Sequence, residues 1–390
     1  MSPIDNAAGP KTGKVLLVIS EDWFALSHFQ PLITTLGAIA REVVVVTRSS
    51  GRIGEIEALG ARVVEFDIKR SSLNPLEQSG TVRRLAKLIE AEAPDVVHVV
   101  AMQPMVLAAL ALRMAPKTRV VMHLTGLGFV GISRGLAAQV IKPAAMMALR
   151  GVLKRSNTWL LAENPEDAAY LKKFGVDPGR RVTLLPGAGI DPDQFPPREP
   201  RKERPVRVAF AGRMIRSKGV EVLAEASRML RDHGVTIAVD LYGRTDADNP
   251  ECIPEVLLHA WEAEGLLVWH GHVGDVASIW QTADICVLPS LTREGMPRTV
   301  LEAASSQRPL IVTDVPGSRH FVRPGVDGLI VPPDDAVALA DAISLLAADP
   351  EKRTAMGQAA RQRILDGYTI DHVKRGIEDA YSGLLKAPRT

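Results

Sequence analysis

Two glutamates eight positions apart, Glu294 and Glu302, could bind hydroxyl groups of one extended ligand. Pro297 suits the first turn of a helix, where its missing N–H costs little. Glu294 would then lie in the preceding loop and Glu302 about one turn inside the helix. A fully helical segment would hold them about 12 Å apart, but a loop lets Glu294 fold back. A helix N-terminus attracts phosphate, so Arg293–Ala303 predicts a sugar-nucleotide site. A solvated pair of helix-start acids has the same spacing.

A basic pair forms a second candidate cluster. Arg213 and Lys218 lie between Gly212 and Gly219, after a strand-like run and before an amphipathic helix. Arg offers a forked donor and Lys a point charge. Both would stabilise negative charge that develops on a departing diphosphate. The pattern therefore predicts a diphosphate-binding site, although an exposed basic loop would contain the same residues.

Short runs of Val, Ile and Leu alternate with helical patterns, as is typical of parallel strands buried on both faces. The strands predicted in the first half are Val15–Ile19, Glu42–Thr47, Arg62–Phe66, Asp95–Val100, Arg119–Met122, Thr158–Ala162 and Arg181–Leu185. Those predicted in the second half are Val206–Phe210, Thr236–Tyr242, Leu266–Trp269, Asp284–Pro289, Pro309–Thr313 and Gly328–Val331. The alternation predicts an α/β fold of two doubly wound, Rossmann-like domains.

Proline marks the boundary between these domains. The segment 191–205 contains five prolines among charged residues and predicts a linker. The domains would then span 1–190 and 206–369. Ligands of such sheets bind at the carboxyl ends of the strands, so two facing sheets would place an active site in a cleft.

Composition narrows the class of protein. The chain has 390 residues, of which 46% are hydrophobic and 24% charged, and two cysteines. No apolar run reaches the ~18 residues of a membrane span, and 1–11 lacks a signal-peptide apolar region. These features predict a cytoplasmic protein with reduced thiols. The first 190 residues have a net charge of +7 and the remainder −5, which predicts different partners for the two halves.

In this order and spacing, the two clusters resemble the nucleotide-sugar site of retaining glycosyltransferases of family four, which have the GT-B fold. The resemblance covers nearly the whole chain through further strand ends and loops, at Leu241–Gly243, Trp269–Val273, Ala283–Ser290 and Gly325–Gly328. It implies that Arg213 and Lys218 bind the diphosphate, that Glu302 binds the ribose and that Glu294 contacts the donor sugar. Arg213, Lys218 and Glu294 would be the catalytic residues. The other donor-binding residues implied are Gly212, His272, Val273, Gly295, Met296 and Pro297.

The resemblance also implies a chemistry. The anomeric configuration would be retained by same-face attack, with a donor phosphate oxygen helping to take the acceptor proton. No strong protein nucleophile, metal or other cofactor is expected. The final helix, about 370–390, would cross back to the first domain, as in relatives.

The first domain resembles bacterial transferases of surface-polysaccharide or lipid-linked oligosaccharide assembly through Ser20–His28 and Thr125–Phe129. Relatives often have Gly-Gly where this chain has Ser20–Trp23, and His where it has Thr125. The residues that would contact acceptor are His28, His123, Thr125 and Gly126. His123 fits either a catalytic histidine or a structural one, and His28 either an acceptor contact or a helix cap.

Two other motifs favour different chemistry. Gly126–Gly131 matches a dinucleotide-binding glycine pattern, but that site needs an acid about 20 residues later, and none occurs between Asp95 and Glu163. Asp246 and Asp248 resemble a metal-binding Asp-x-Asp but lie in a polar segment typical of a turn. Neither nicotinamide nor metal is therefore predicted.

The sequence thus predicts a glycosyltransferase that moves sugar from a nucleotide donor, here taken as a UDP-sugar, to a lipid-linked or saccharide acceptor. Ser133–Arg155 contains five cations and no acid, which fits either contact with an anionic membrane or a core helix with a basic edge. No basic patch with interleaved aromatics indicates nucleic acid. Two alternatives stay open: an epimerase or phosphorylase of the same fold, and a non-catalytic nucleotide-sugar-binding assembly subunit.

Overall fold

The computed structural model describes residues 12–68, 75–127, 136–172, 179, 181–198, 205–247 and 249–387, without the side chains of 75–76 and 136–142. It forms two compact units. The first consists of Met1–Ala188 and Val373–Thr390, and the second of Gly189–His372. Among the described residues, no helix has both the length and the apolar character needed to cross a membrane.

The first unit is built on a parallel sheet with the strand order β3-β2-β1-β4-β5-β6-β7. The strands are β1 Thr12–Glu21, β2 Ala40–Arg48, β3 Arg62–Glu65, β4 Val96–Val100, β5 Arg119–Leu124, β6 Thr158–Ala162 and β7 Val182–Leu184. The helices are α1 Asp22–His28, α2 Gln30–Ile39, α3 Ile53–Ala58, α4 Pro75–Glu92, α5 Met102–Ala111, α6 Leu136–Leu153 and α7 Pro165–Lys172.

Helices cover both faces of this sheet, so its strands are apolar without alternation. Leu16 and Val18 of β1 pack on one face, with α4, α5 and α6. Val15, Leu17 and Ile19 pack on the other, with α1, α2 and the final helix, α15 Ile370–Lys386. Val373, Ile377, Tyr381 and Leu384 form the buried stripe of α15.

The second unit contains a parallel sheet with the order β10-β9-β8-β11-β12-β13. The strands are β8 Val206–Ala211, β9 Ile237–Tyr242, β10 Val268–Trp269, β11 Ile285–Leu288, β12 Leu310–Thr313 and β13 Gly328–Val331. The helices are α8 Val220–Asp232, α9 Glu255–Ala263, α10 Val276–Thr282, α11 Arg298–Ser305, α12 Ser318–Phe321, α13 Ala336–Ala348 and α14 Pro350–Gly367.

The predicted fold class is confirmed, because both units are parallel α/β sheets of Rossmann type. The described part of the proline-rich segment, 191–198 and Pro205, lies in the second unit. Phe195 is buried there, and its carbonyl accepts hydrogen bonds from Ser305 and Arg361. This portion of the predicted linker is therefore fixed to the sheet's helical layer.

Candidate nucleotide-sugar site

Lys218 and Glu294 meet beyond the carboxyl ends of β8 and β11. Lys218 ends a short 3-10 helix after β8, and Glu294 lies between β11 and α11. The Nζ atom of Lys218 is 2.5 Å from Oε2 of Glu294, and their side chains are 21% and 15% exposed. Seventy-six positions separate them in the chain, so the fold brings together two residues that the sequence assigned to one ligand.

The Lys218 turn fits closely against the end of β11. Gly219 has φ +73°, and a Cβ there would lie 1.9 Å from the carbonyl oxygen of Pro289. The Leu291 amide donates to the Ser217 carbonyl at 2.8 Å. The Ser290 hydroxyl donates to Glu294. Glu294 is therefore held by a strand-end serine as well as by Lys218, and its carboxylate is oriented before any ligand arrives.

The Glu294–Gly295 backbone is held from the other side by the turn after β12. The Glu294 amide donates to the Pro316 carbonyl at 3.3 Å. Gly317 has φ +87°, and a Cβ there would lie 1.8 Å from the Gly295 carbonyl oxygen. This approach requires glycine at position 317.

Glu302 lies inside α11 and is 5% exposed. Its Oε1 accepts from Nε of Arg298 at 2.7 Å, one turn earlier. Burial raises the pKa of the Glu302 carboxyl above its ordinary value, and the Arg298 ion pair offsets part of that rise. Pro297 is the residue before the helix, with φ −65° and ψ 118°, one position earlier than a first-turn proline. Neither Glu294 nor Glu302 is a solvated helix-start acid.

The start of α11 is also attached to the end of β8. The Thr299 hydroxyl donates to the Ala211 carbonyl at 3.0 Å, next to Gly212. Met296 is buried in the core of the unit. The loop Gly295–Pro297 is therefore held in place by Met296 within it and by Thr299 just after it.

Arg213 lies at the same strand ends but is more open. Its side chain is 52% exposed, and Nη1 is 3.1 Å from Oδ2 of Asp246. A Cβ on Gly243, which has φ +141°, would lie 1.8 Å from the Gly212 carbonyl oxygen, so these two loops touch. Asp246 thus forms an ion pair with Arg213, the residue predicted to bind the diphosphate. Asp248 lies outside the described residues. No group of three or more His, Cys, Asp or Glu suited to a metal occurs in the part of the chain described.

His272 and Val273 follow β10. His272 is exposed, and Val273 packs against the core. The neighbouring His270 stacks on Tyr242, with ring centroids 4.6 Å apart, and its Nε2 is 2.8 Å from Oδ1 of Asp240. Of His270 and His272, it is therefore His272 whose ring is exposed to solvent.

In the first unit, an aromatic series connects His28 with His123. Phe24 contacts His28 and Phe29, and Phe29 meets the His123 ring edge-on at 5.4 Å. His123 is 2% exposed, and neither ring nitrogen hydrogen-bonds to any described residue. Burial lowers the pKa of His123 to about 3. The ring is therefore neutral at physiological pH, and its burial against the rings of Phe29 and His98 favours the structural alternative for this residue.

The other first-unit candidates lie near the strand end. His28 closes α1, with its Nδ1 2.7 Å from the Ser27 hydroxyl. Thr125 and Gly126 directly follow β5 and are partly buried, and Gly126 has φ +127°. Residues 128–135, which include the rest of the Thr125–Phe129 motif and of the Gly126–Gly131 pattern, lie outside the described residues.

Four supporting residues were not predicted from the sequence: Ser290, Arg298, Thr299 and Gly317. The i,i+4 spacing of Arg298 and Glu302 is a signal that could have been used. Ser290 is also four positions from the residue it holds, Glu294, but the pair lies in a loop, where that spacing predicts no contact. Thr299 and Gly317 act on residues distant in the chain, so no local pattern identifies them.

Two family models match the chain. Residues 14–158 match the model described as glycosyl transferase 4-like, and residues 205–349 match glycosyl transferases group 1. The chain belongs to these glycosyltransferases. The matches fall on the two α/β sheets, and the second contains the Lys218–Glu294 contact.

Curated relatives of this glycosyltransferase include two that are named for diphosphoundecaprenol substrates. One is the N,N'-diacetylbacillosaminyl-diphospho-undecaprenol alpha-1,3-N-acetylgalactosaminyltransferase of Campylobacter jejuni, 26% identical over 87% of this chain and 91% of the relative. The other is the UDP-Gal:alpha-D-GlcNAc-diphosphoundecaprenol alpha-1,3-galactosyltransferase of Escherichia coli, 24% identical over 76% and 77%.

Solved structures share the fold of this glycosyltransferase. Anabaena HepE in complex with UDP and glucose has a TM-score of 0.75 at 16% identity, over 95% of this chain and 99% of that one. Sucrose-phosphate synthase from Thermosynechococcus elongatus has a TM-score of 0.77 at 19% identity, over 96% and 99%. At these identities the likeness supports the GT-B fold alone.

Proposed function

We propose that this glycosyltransferase transfers a sugar from a UDP-sugar to a lipid-linked or saccharide acceptor, with retention and without a metal, in surface-polysaccharide or lipid-linked oligosaccharide assembly. The observation that carries the proposal is the Lys218–Glu294 contact beside the start of α11. The donor and acceptor classes come from the names of the relatives and from the UDP held by a protein of the same fold. The enzyme would act in the cytoplasm, in peripheral contact with the membrane.

The second unit would bind the donor. Lys has three donor hydrogens, so Lys218 can hold the diphosphate while it stays bonded to Glu294. Arg213 is exposed enough to exchange Asp246 for phosphate. The two cations would then stabilise the charge that grows on the diphosphate as the glycosidic bond breaks.

The two glutamates would fix the ends of the donor. Glu302 is buried and charge-assisted hydrogen bonds are strong in such surroundings, so it suits the ribose hydroxyls. Glu294 is held by Ser290 and Lys218, so its carboxylate is oriented to accept hydrogen bonds from hydroxyls of the transferred sugar. Neither residue needs to act as a nucleophile, because a donor phosphate oxygen would help to take the acceptor proton.

The test compares Lys218→Met with Arg216→Met, two residues away in the same 3-10 helix. Arg216 pairs with Glu221 on the surface and is a matched control. With UDP-sugars and a membrane lipid extract, Lys218→Met and Glu294→Gln should lower transfer about 10²- to 10³-fold, and Arg216→Met should leave it unchanged. Full transfer activity in Lys218→Met and Glu294→Gln would overturn the assignment of the donor site.

Product analysis tests the reaction class. A glycoside with the donor's anomeric configuration is expected, and activity should survive excess chelator. A product with inverted anomeric configuration would overturn the proposed retaining mechanism. Loss of activity with chelator would support a metal bound at Asp246 and Asp248. Epimerised donor or a free sugar phosphate would indicate the epimerase or phosphorylase, and donor binding without turnover a non-catalytic subunit.

A further inference from the structure

The strand order of the first unit identifies one place at its sheet edge as special. β1 lies between β2 and β4, so the chain builds the sheet from β1 toward one edge and then returns to build it toward the other. In doubly wound sheets, ligands bind at the carboxyl ends of the two strands where the order reverses in this way. We call this place the switch point. Its two strand ends are Ser20–Trp23 and Ala101–Gln103.

Trp23 is the exposed aromatic side chain at the switch point. It is 37% exposed, whereas Ser20, Glu21 and Asp22 before it and Met102 after β4 are buried. Among the Phe, Trp and Tyr residues that the structure describes in the first unit, Trp23 is the one whose side chain is exposed. Aromatic side chains together with a few polar groups are typical linings of small-molecule sites, so the position of Trp23 favours a ligand contact.

The Trp23 ring is supported from below by other aromatic rings. Its centroid lies 5.8 Å from that of Phe24, and Phe24 packs edge-on against Phe29 with centroids 5.1 Å apart. Phe29 is buried in the core on this face of the sheet. Because this packing already restricts the indole, a ligand that stacks on it costs little additional side-chain entropy.

Asp22 fixes the backbone beside Trp23 and adds a negative charge there. The Asp22 carboxylate accepts hydrogen bonds from the amides of Trp23 at 2.6 Å and Arg52 at 3.0 Å. It also accepts from the amide and the hydroxyl of Ser50. Burial raises the pKa of this carboxyl, but the hydrogen bonds outweigh burial and lower it below the ordinary value. Asp22 is therefore ionised at neutral pH, which disfavours a second anion, such as a diphosphate, beside Trp23.

Backbone strain marks the other strand end of the switch point. Ala101 has φ +73° and ψ 154°, a conformation that essentially only glycine adopts. Its amide donates to the His123 carbonyl at 2.9 Å, so the turn after β4 is tied to the end of β5. Strain of this kind persists where the surrounding structure imposes it, and it clusters at ligand sites. Ala101 thus supports a ligand site at the switch point independently of Trp23.

We propose that Trp23 is a stacking platform for a neutral sugar ring of the acceptor. A pyranose presents C–H groups on its faces, which pack against an indole, while its hydroxyls at the rim bond to polar groups or water. The charge of Asp22 favours a neutral sugar over the diphosphate of a lipid-linked acceptor at this place. A polyprenyl chain would need a longer apolar surface, and the residues that precede Trp23 are polar. The inference rests on the proposed function, because it assigns the acceptor's sugar to the first unit.

Saturation-transfer NMR of the full chain tests the platform without turnover. The probes are the methyl glycosides of glucose, galactose and N-acetylglucosamine, with geranyl diphosphate as a lipid diphosphate that has no sugar. Wild type should transfer saturation to the ring C–H protons of at least one glycoside. Trp23→Ala should lose that signal, and Trp23→Phe, which keeps an aromatic face, should retain it. The absence of any glycoside signal in wild type, whatever geranyl diphosphate shows, or an undiminished signal in Trp23→Ala, would overturn the platform.

Leu184→Ala is the matched control. Leu184 is an exposed apolar side chain that ends β7, the edge strand of the same sheet, away from the switch point. This variant should keep the wild-type glycoside signal, and a loss equal to that of Trp23→Ala would contradict a specific role for Trp23.

Transfer kinetics give a second measurement. Trp23→Ala should raise the acceptor KM about 10-fold, as expected for the loss of one aromatic contact. It should leave the donor KM and the thermal shift given by UDP unchanged, which general damage to the fold would not. An unchanged acceptor KM would refute the platform. Trp23-dependent glycoside binding without transfer by wild type would support the platform and contradict the proposed function.

Discussion

Gly317→Ala should impair transfer far more than it impairs folding. The added Cβ would lie 1.8 Å from the Gly295 carbonyl oxygen and must reach at least 3.0 Å, a shift of about 1.2 Å. Both partners are backbone, so the Glu294–Gly295 loop has to move. A misplacement of about 1 Å costs about 10²-fold in rate when it displaces a positioned group. We therefore expect kcat/KM to fall about 100-fold.

Gly325→Ala separates this displacement from backbone strain. Gly325 also has positive φ, +77°, but a Cβ there meets nothing within 4 Å. Alanine in this region costs about 1–2 kcal/mol, so a control Tm lower by a few degrees is expected, with normal activity. The assay is UDP release with acceptor, at a temperature where both variants are folded. Equal activity of the two variants would refute the claim that Gly317 sets the position of Glu294.

Three further predictions concern buried charge. Lys218→Met and Glu294→Gln should each destabilise the protein, and the double variant by about 0.5–3 kcal/mol less than their sum, measured by urea unfolding. Glu302→Gln should keep or raise Tm at pH 7 while lowering the thermal shift given by UDP. The pKa of Glu302 is raised in the folded protein. Its contribution to folding stability is therefore complete below the ordinary pKa and is lost as the pH rises through the folded pKa. The stability of Glu302→Gln relative to wild type should increase over the same pH range. Asp22→Asn should lower the free energy of unfolding by about 1–3 kcal/mol at pH 7, measured by denaturation. Hydrogen bonds from Ser50, Arg52 and Trp23 outweigh burial and lower the pKa of Asp22 in the folded protein. The difference in stability should therefore disappear as the pH falls through that folded pKa.

Much of the fold was readable because both sheets are parallel and buried. Val15–Ile19 was predicted as a strand from its composition, and it forms the buried centre of β1. The same apolar runs do not show which residue belongs to which face. That assignment depends on the helices that cover the sheet, and α15 reaches its face from the far end of the chain.

The donor site was predicted in part, for a related reason. Lys218 and Glu294 lie at strand ends, and strand ends of one parallel sheet share an edge. Their direct contact and the serine that holds Glu294 depend on loop geometry. The first unit was harder to interpret, because His123 at a strand end has the same sequence context whether it is open or buried. The packing of Phe29 and His98 against its ring distinguishes these cases.

Glu302 shows why burial matters more than residue type in this site. A carboxylate that is 5% exposed destabilises the fold when ionised, since desolvation disfavours its charge. Arg298 offsets that cost without removing it, and its own side chain is 32% exposed. A helix that needed only stability would be better served by an apolar residue at position 302. We therefore propose that the buried carboxylate is kept for a ligand whose hydroxyls donate hydrogen bonds to it, which is the role that the proposed donor gives it.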